Sequence, residues 1–461
     1  MRKCVAVLSV LLLLAPVTAL FAAGAGEAAE PEDARLNIII RGVEDGVNHN
    51  MVVWILEDVI PAFEERMAEQ GRDVRVGLIQ FGGSDEALEQ QYALDMSVGE
   101  GSDIMAFDGF WIPDFVEAGY IEPLDQIAGN AVWDWGGWDV IPEGLREIMG
   151  FDGEIYGLGS GTDVRKIYYR TDLFEEAGIS LPWQPESWED VLQTARELQR
   201  AGVPSPLQIN AGTAMGEATT MQGYFMVLLG AGEHMYDFEN NMWYGETQAI
   251  HDALEVYRQI YVEEELGNRS IQLAAAGRDQ SFEAFREGEI AMLVEGDWFW
   301  RSVVAPGSEW EPAAGRDNVV DWAKMPAQQP GAGFNGQDFV SISGGTGFII
   351  NPNTSHPELA WELLAFMHDY DMQMAFQDIQ PRITVREDIP VQGDPVMSSM
   401  AEELLQYSTV RPQLPEYAQI SVAAQRMTER VVNEEMTPQE AMEAYAEDLD
   451  EIVGSDRVIR E

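Results

Sequence analysis

Two short phrases of this 461-residue chain place aromatic rings beside carboxylates. They are Phe107-Asp-Gly-Phe-Trp111 and Gly296-Asp-Trp298-Phe-Trp300, and each follows an apolar run typical of a strand. A flat ring can stack on the C–H face of a sugar, while a nearby carboxylate accepts hydrogen bonds from its hydroxyls. Because ligands bind at the carboxyl ends of strands in open α/β sheets, both phrases are expected beside a cleft. The alternative for each ring is packing in a core or over a helix end.

The sequence lacks the motifs of several enzyme classes. It contains no GxxxxGK[ST] phosphate loop, no GxSxG nucleophile turn and no HExxH zinc motif. The glycine-rich run from Ser343 to Gly347 leads into an apolar strand rather than a helix, which argues against a phosphate site. Five scattered histidines show no paired ligand spacing, so neither a metal nor another cofactor is predicted. Carboxylate pairs for glycoside hydrolysis stay open, since 80 acidic residues always offer some pair.

The first third of the chain alternates between strand and helix patterns. Three apolar runs predict buried strands: residues 36–40, 74–80 and 103–107. Helical spacing near residues 50–67 predicts one buried face: Val53, Leu56, Ile60 and Phe63. A second helix is expected to begin at Ser84. Strands and helices that alternate in this way indicate right-handed crossovers and a parallel sheet.

Residues 151–190 join a strand to two helices. Thr171 or Asp172 is suited to cap the first helix, which Gly178 would end in the left-handed conformation that glycine tolerates. Ser187 and Asp190 form a capping box for the second helix. The same box pattern, Ser355 with Glu358 and Thr437 with Glu440, predicts two further helix starts near the end of the chain: residues 355 and 437.

The N-terminus has the features of a secretory signal peptide over residues 1–25. Arg2 and Lys3 precede an apolar stretch, and small residues suited to cleavage follow it. The alternative is an uncleaved membrane anchor. The only cysteine, Cys4, lies inside this segment, so the mature chain is expected to contain no disulfide. A periplasmic or extracellular location follows from this prediction.

Charge is the unusual feature of the composition. The net charge is −53, and Lys166 and Lys324 are the only lysines beyond the signal segment. Such an excess of acid repels nucleic acid and anionic membranes, which excludes both as partners. The acidic residues are spread along the chain rather than clustered, so we interpret them as a surface suited to concentrated salt. A patch that binds cations is the alternative.

Several phrases, in order, resemble bacterial extracellular solute-binding proteins of the maltose-binding type. The phrases that carry the resemblance span most of the chain: Asp103–Asp108, Ala118–Asp125, Asp152–Gly157, Tyr169–Phe174, Phe285–Trp298 and Gly344–Trp361. The resemblance implies an α/β fold of the periplasmic-binding-protein type, with two lobes that are each a mixed sheet flanked by helices. Hinge crossovers are expected at three places: near residues 162–167, 340–345 and 386–390.

This resemblance also implies how the chain is divided. Residues 35–161 with 345–386 would form the N-terminal lobe, and residues 165–340 with 390–461 the C-terminal lobe. Each lobe would therefore be discontinuous in sequence.

By position, the resemblance also implies a set of ligand-facing residues: Phe107, Asp108, Phe110, Trp111, Asp163, Trp298 and the stretch from Arg411 to Tyr417. Spacing adds Arg165, which lies two residues past Asp163 on the same side of an extended segment. A surface ion pair is the alternative for Arg165. Asp45, in the loop after the first strand, and Ser84 are further candidates.

The function implied by the resemblance is capture rather than catalysis. A monomeric secreted protein would close over a sugar or small oligosaccharide and deliver it to the membrane permease subunits of an ABC transporter. The longer loop at residues 212–222, with Thr219 and Thr220, departs from the maltose binder, as do Ser421 and Val422 in place of aromatics. These departures favour a smaller sugar or glycoside. The alternatives are a polyamine or metal-ion ligand on the same fold, and a secreted glycosidase or lyase that uses carboxylates.

Overall fold

The computed structural model describes residues 34–460, so the signal peptide predicted for residues 1–25 lies outside it. In that part of the chain, no helix has the length and apolar character needed to cross a membrane. The described strands, in chain order, are β1 (Ala34–Arg41), β2 (Val74–Phe81), β3 (Ile104–Asp108), β4 (Gly150–Phe151), β5 (Glu154–Ile155), β6 (Gly157–Thr162), β7 (Arg165–Arg170), β8 (Leu207–Gln208), β9 (Tyr236–Asp237), β10 (Met242–Glu246), β11 (Met292–Gly296), β12 (Val320–Ala323), β13 (Met325–Pro326), β14 (Phe339–Ser343), β15 (Gly345–Ile350), β16 (Ser408–Val410) and β17 (Val458–Arg460).

The described α-helices are distributed along the whole chain. They are α1 (His49–Val53), α2 (Ile60–Glu69), α3 (Asp85–Ser97), α4 (Ile112–Glu117), α5 (Leu124–Ala128), α6 (Glu143–Arg146), α7 (Thr171–Ala177), α8 (Trp188–Ala201), α9 (Phe225–Gly230), α10 (Gln248–Arg258), α11 (Arg269–Gln272), α12 (Gly277–Glu287), α13 (Arg316–Val319), α14 (Pro357–Met367), α15 (Tyr370–Ile379), α16 (Pro395–Leu404), α17 (Tyr417–Val432) and α18 (Pro438–Val453).

The first lobe is built on a five-stranded sheet with the order β2-β1-β3-β15-β6. Strand β1 is parallel to β2 and β3, as predicted, whereas β15 returns from late in the chain and is antiparallel to β3 and β6. Successive side chains of β1 point to opposite faces of the sheet. Ile38 and Ile40 belong to one buried apolar cluster, and Ile39 belongs to another. Helices therefore cover both faces of this sheet.

The second lobe is built on a four-stranded mixed sheet with the order β12-β7-β11-β8. Tyr168 and Tyr169 are adjacent in β7 and therefore point to opposite faces, and both are fully buried because both faces are covered. The hydroxyl of Tyr168 donates to the Gly296 carbonyl at 3.1 Å, and that of Tyr169 donates to Asp321 at 3.0 Å. The two mixed sheets and their helices confirm the predicted α/β fold class.

Three segments connect the elements that pack on the first sheet to those that pack on the second, and the first segment is hydrogen-bonded to the other two. The first connects β6 to β7, the second connects β14 to β15, and the third follows α15. Thr162, at the end of β6, donates its backbone N–H to Ile383 in the third segment at 3.1 Å. Its hydroxyl donates to the Gly344 carbonyl in the second segment at 2.8 Å. The exact lobe boundaries stay a prediction.

Most predicted helix ends match the structure. Ser187 caps α8, Gly178 ends α7 with φ 76°, and Thr437 with Glu440 forms the capping box of α18. Three details of the caps were predicted wrongly. Asp190 does not complete a capping box with Ser187, because its carboxylate accepts from the Glu186 N–H at 3.0 Å. Helix α7 follows Arg170 without a side-chain cap, and α14 follows His356 rather than Ser355, with Pro357 as its first residue.

The predicted buried face of the first helix was partly wrong. A π-helical turn at Trp54–Val59 separates α1 from α2 and adds a residue to the repeat, which shifts the faces. Leu56 is consequently 37% exposed, whereas Phe63 is fully buried as predicted. Val52, Ile55 and Val59 are buried in place of the predicted residues.

Candidate functional site

Arg411 links the two lobes through buried ion pairs. Strand β16 runs parallel to β14 with Val410 opposite Ser343, and this register places the next residue, Arg411, beside the crossovers. Its Nη2 donates to Asp108 Oδ1 at 2.6 Å, and its Nη1 donates to Glu217 Oε1 at 2.9 Å. Asp108 ends β3 of the first lobe, whereas Glu217 lies in the loop before a π-helical turn of the second lobe.

Glu217 also accepts hydrogen bonds from two residues of helix α17. The hydroxyl of Tyr417 donates to Glu217 Oε1, and that of Ser421 donates to Oε2, both at 2.6 Å. Behind them, Thr220 and Ser421 share a hydrogen bond of 2.6 Å, and Gln425 donates to Thr220 at 3.2 Å. The loop at residues 212–222 is therefore held on α17 by a continuous polar network.

A second group of site residues surrounds the first crossover. Arg165 is buried and pairs with Asp163, and it also donates to the Ile342 carbonyl at 2.9 Å and to Gln222 Oε1 at 3.2 Å. Its guanidinium carbon lies 4.9 Å from the centroid of the half-buried Trp298 ring. The alternative of an exposed surface ion pair is therefore wrong for Arg165.

Gly344 connects these two groups of side chains. Its backbone N–H donates to Asp163 Oδ1 at 2.7 Å. A Cβ at this position would lie 3.4 Å from Arg411 Nη2 and 3.5 Å from Asp163 Oδ2. Three carboxylates, those of Asp108, Asp163 and Glu217, and the guanidiniums of Arg165 and Arg411 therefore meet at the crossovers.

A cavity of about 210 Å³ opens beside this cluster. Its lining includes residues from the first lobe, the crossovers and the segment around β16: Phe110, Leu145, Thr162, Ser343, Gly344 and Arg411. The Phe110 ring lies 4.0 Å below the Arg411 guanidinium and meets the Tyr417 ring edge-on, with centroids 5.9 Å apart. The volume is below the roughly 300–1,000 Å³ of typical drug-sized ligand sites, which suits a small polar ligand.

Burial sets the protonation behaviour of the carboxylates around the cavity. It raises the pKa of Asp108 to about 6, although the Arg411 guanidinium opposes the shift by favouring the charged form. Outside the cavity, a shallow groove between α3 and α4 holds Glu89 and Asp114, whose pKa values are raised by burial to about 8 and about 6. The site is therefore an acidic region in which Arg411 and Arg165 are the balancing cations.

Seven of the predicted site residues meet in this cluster, and four do not. Those that meet are Asp108, Phe110, Asp163, Arg165, Trp298, Arg411 and Tyr417. Phe107 and Trp111 do not face the cavity as predicted, because both side chains are buried in the core of the first lobe. Phe107 alternates with Asp108 along β3 and points to the opposite face, where it packs 5.0 Å from Phe115 between ring centroids. The short turn after β3 directs Trp111 to the same core, edge-on to Phe107 at 5.2 Å.

Asp45 and Ser84 lie outside the cluster. Asp45 is exposed in the loop after β1 with φ 57°, and its backbone N–H donates to His49 Nδ1 at 3.0 Å. Ser84 is exposed and caps α3, as predicted for the start of that helix, by accepting from the Ala87 N–H at 3.2 Å. The structure does not place either residue at the cavity.

Sequence reasoning missed Glu217, Gln222 and the hydroxyl of Ser421. The unusual length of the loop at residues 212–222 was the available signal, but it pointed to Thr219 and Thr220, which are fully buried. Within residues 34–460, no group of three or more His, Cys, Asp or Glu side chains is arranged to hold a metal ion.

The chain is similar in sequence to a known protein family and to several proteins of other bacteria. A family model described as "Bacterial extracellular solute-binding protein" matches residues 54–374. A binding protein of Brucella abortus (strain 2308) is 24% identical over 293 residues, which is 63% of this chain and 64% of that protein. An arabinooligosaccharide-binding protein of Halalkalibacterium halodurans is 23% identical over 233 residues, covering 50% of this chain and 46% of that protein. The matches therefore span less than two thirds of these relatives.

Solved structures show the same fold over most of the chain. A solute-binding protein of Thermotoga lettingae bound to α-D-tagatose has a TM-score of 0.73 at 24% identity. The match covers 91% of this chain and 100% of that protein. A maltose-bound protein of T. maritima has a TM-score of 0.74 at 18% identity, with 91% and 100% covered. A ribitol-bound protein of Agrobacterium radiobacter K84 has a TM-score of 0.66 at 21% identity, with 91% and 99% covered.

Proposed function

We propose that this chain, which belongs to the bacterial extracellular solute-binding protein family, captures a sugar or small oligosaccharide between its lobes for an ABC importer. It would then present the closed complex to the permease subunits in the membrane. The observation that carries the proposal is the Arg411 cluster, which joins Asp108 of the first lobe to Glu217 of the second beside a small cavity. This position is where closing lobes would enclose a ligand.

The chemistry of the cluster suits hydroxyl groups. A sugar hydroxyl both donates and accepts, and the site offers carboxylate acceptors on Asp108, Asp163 and Glu217 beside the donors Arg411 and Tyr417. Charge-assisted bonds of this type are stronger than neutral ones and fix the orientation of a ligand. The half-buried Trp298 ring is the stacking surface that we assign to the sugar.

Relatives and neighbours support a carbohydrate-like ligand in general terms. The solved neighbours hold tagatose, maltose and ribitol, and one relative is described as binding arabinooligosaccharides. The 210 Å³ cavity favours a monosaccharide or short glycoside over a long chain. We therefore expect a small sugar rather than a long oligosaccharide.

A thermal-shift screen of monosaccharides, disaccharides, sugar alcohols, polyamines and divalent cations tests the ligand class. A true ligand raises the melting temperature further with each increase in its concentration above Kd, roughly with the logarithm of that concentration, because it binds the folded state alone. Stabilisation by a sugar supports the proposal. Stabilisation by a polyamine or a metal ion alone, with no response to any sugar, contradicts it.

We propose binding without turnover, so an enzyme alternative needs its own test. Each sugar that stabilises the protein is incubated with it for a long period and then analysed by mass spectrometry. Recovery of unchanged sugar is expected. Product that disappears in an Asp108→Asn or Asp163→Asn variant would identify a carboxylate-dependent glycosidase or lyase.

We expect affinity for the sugar to decline as pH falls below about 6, where Asp108 becomes protonated. A protonated carboxyl no longer pairs with Arg411 and accepts sugar hydroxyls more weakly, and one linked proton changes Kd by up to roughly tenfold per pH unit. Titrations at several pH values measure the slope. An Asp108→Asn variant should bind more weakly but with a flatter profile.

Protonation of Asp108 does not itself destabilise the fold as pH falls. Because the folded pKa of Asp108 lies above its ordinary value of 3.8, this group stabilises the fold at low pH and loses that contribution as pH rises through about 6. A pH-independent Kd in the native protein, or an equal slope in Asp108→Asn, would contradict the role of Asp108.

We propose that the acidic surface is suited to concentrated salt, and we expect the melting temperature to rise markedly between about 0.1 M and about 2 M NaCl or KCl. The net charge of −53 causes strong self-repulsion, which salt screens as the Debye length falls from ~10 Å at 0.1 M to ~3 Å at 1 M. Melting curves recorded across this range of salt concentrations test the prediction. A flat or falling melting temperature would require another explanation for the acidity.

A further inference from the structure

The third crossover contains a buried arginine whose side-chain Nε lacks a hydrogen-bond partner. Arg382 is only 5% exposed, and its buried Nε donates to no residue within the described part of the chain. Its backbone is held on both sides by Gln377, which accepts from the Arg382 N–H at 3.1 Å and donates to its carbonyl at 2.6 Å. The position of the side chain is therefore fixed by the fold.

An aromatic ring and a glycine lie against the Arg382 guanidinium. Its carbon lies 4.8 Å from the Phe376 ring centroid, which supports one face of the group. A Cβ at Gly161 of β6 would lie 2.6 Å from the Ile383 carbonyl oxygen and 2.7 Å from Arg382 Nη2, so glycine lets the third crossover and this guanidinium lie against the strand. The group therefore sits between the first lobe and the crossovers.

The carboxylates in this region are already engaged by other groups. Asp297 is fully buried and accepts from Arg301 Nε at 2.9 Å and from the Val164 N–H at 3.4 Å. Asp163 is paired with Arg165 and with the Gly344 N–H, as described above. Burial lowers the pKa of Arg382 to about 9, and the like-charged Arg301 lowers this pKa further, while Asp297 and Asp163 oppose the shift.

Positive charge therefore exceeds negative charge at this point of an otherwise acidic chain. Lys166 is also fully buried here, and its ammonium donates to the Val164 carbonyl at 3.1 Å. Lys166, Arg301 and Arg382 thus lie near the carboxylate of Asp297, while Asp163, the other nearby carboxylate, is paired with Arg165. A buried ion without a counter-charge costs several kcal/mol in general, and a small anion would remove that cost.

We propose that the hinge contains a binding site for a small inorganic anion, chloride, held by the Arg382 guanidinium next to Arg301. The site is separate from the sugar cluster and independent of the proposed transport function. Because it lies where the third crossover touches β6, a bound anion would brace the hinge. Chloride would then stabilise the protein specifically, in addition to general screening by salt.

Chloride can be separated from screening at constant ionic strength. Melting temperatures are measured at about 1 M total sodium salt while chloride replaces gluconate in steps. We expect a saturating rise of roughly 2–5 °C in the native protein, as for a ligand that binds only the folded state. The rise should be lost in Arg382→Gln and kept in the control Arg72→Gln, which removes an arginine paired at the surface with Glu362.

If Arg382→Gln does not fold, the proposal can still be tested by locating the anion in crystals of the native protein. Crystals of the native protein grown in bromide should show an anomalous peak within hydrogen-bond distance of the Arg382 guanidinium. Three results would overturn the proposal: equal melting temperatures in chloride and gluconate, a chloride response that survives in Arg382→Gln, or bromide found only elsewhere on the protein.

Discussion

Replacing Arg411 with alanine should reduce sugar affinity by 100-fold or more, equivalent to about 3 kcal/mol. The substitution leaves Asp108 and Glu217 facing each other without the guanidinium that now binds both. Two effects then add. The ligand loses a charge-assisted donor. The lobes lose the guanidinium that pairs with both Asp108 and Glu217.

The same variant should also be less stable by roughly 2–4 kcal/mol. Breaking a buried pair leaves an uncompensated charge, although the side chains of Asp108 and Glu217 are 25% and 22% exposed, which moderates the cost. Chemical denaturation measures this loss. Arg411→Lys is the informative companion, because an ammonium keeps the charge but lacks the planar fork that reaches two carboxylates.

Arg426→Ala serves as the control for Arg411. Arg426 lies on α17 with its side chain 47% exposed and lies 3.7 Å from Asp448, so its removal should change neither affinity nor stability by much. Sugar binding by Arg411→Ala at native strength, in a folded protein, would remove Arg411 from the site. An effect as large in Arg426→Ala would show that the loss is not specific to the cluster.

Trp298→Ala is expected to weaken sugar binding by roughly 1.5–3 kcal/mol, about ten- to a hundred-fold, while the protein stays folded. The ring is half-buried beside Gly296, and the Arg165 guanidinium lies 4.9 Å from its centroid. Removing it deletes the stacking surface and one support of Arg165. Calorimetric titration of native and variant protein measures the change.

Trp298→Phe separates stacking from simple packing. A phenyl ring keeps a flat surface, so this variant should retain most of the affinity that Trp298→Ala loses. An unchanged Kd for Trp298→Ala in a normally folded protein would exclude the ring from the site. A large loss of stability with unchanged Kd would instead identify Trp298 as a core residue.

The sequence predicted the fold well because the fold depends on repeated local patterns. Apolar runs located β1, β2 and β3, and capping residues located the ends of α7, α8 and α18. The π-helical turn after α1 was not predictable in this way, since no single residue marks an inserted position in a helix.

The site was only partly predictable, because it depends on contacts between distant segments. Strand alternation could have separated Phe107 from Asp108, since neighbours in a strand face opposite sides. No local pattern, however, links Arg411 to Glu217, which is 194 residues away, or to Asp108, which is 303 away. Such pairs become visible only when the crossovers bring β3, the loop at residues 212–222 and β16 together.

Calorimetric titration of the purified chain with a panel of mono- and disaccharides and sugar alcohols tests the central claim most directly. We predict a saturable one-to-one isotherm for at least one of them with Kd in the micromolar range, about −8 kcal/mol, which is lost in Arg411→Ala. No saturable heat with any sugar or sugar alcohol, together with saturable binding of a polyamine or a metal ion, would contradict the claim that this protein captures carbohydrate.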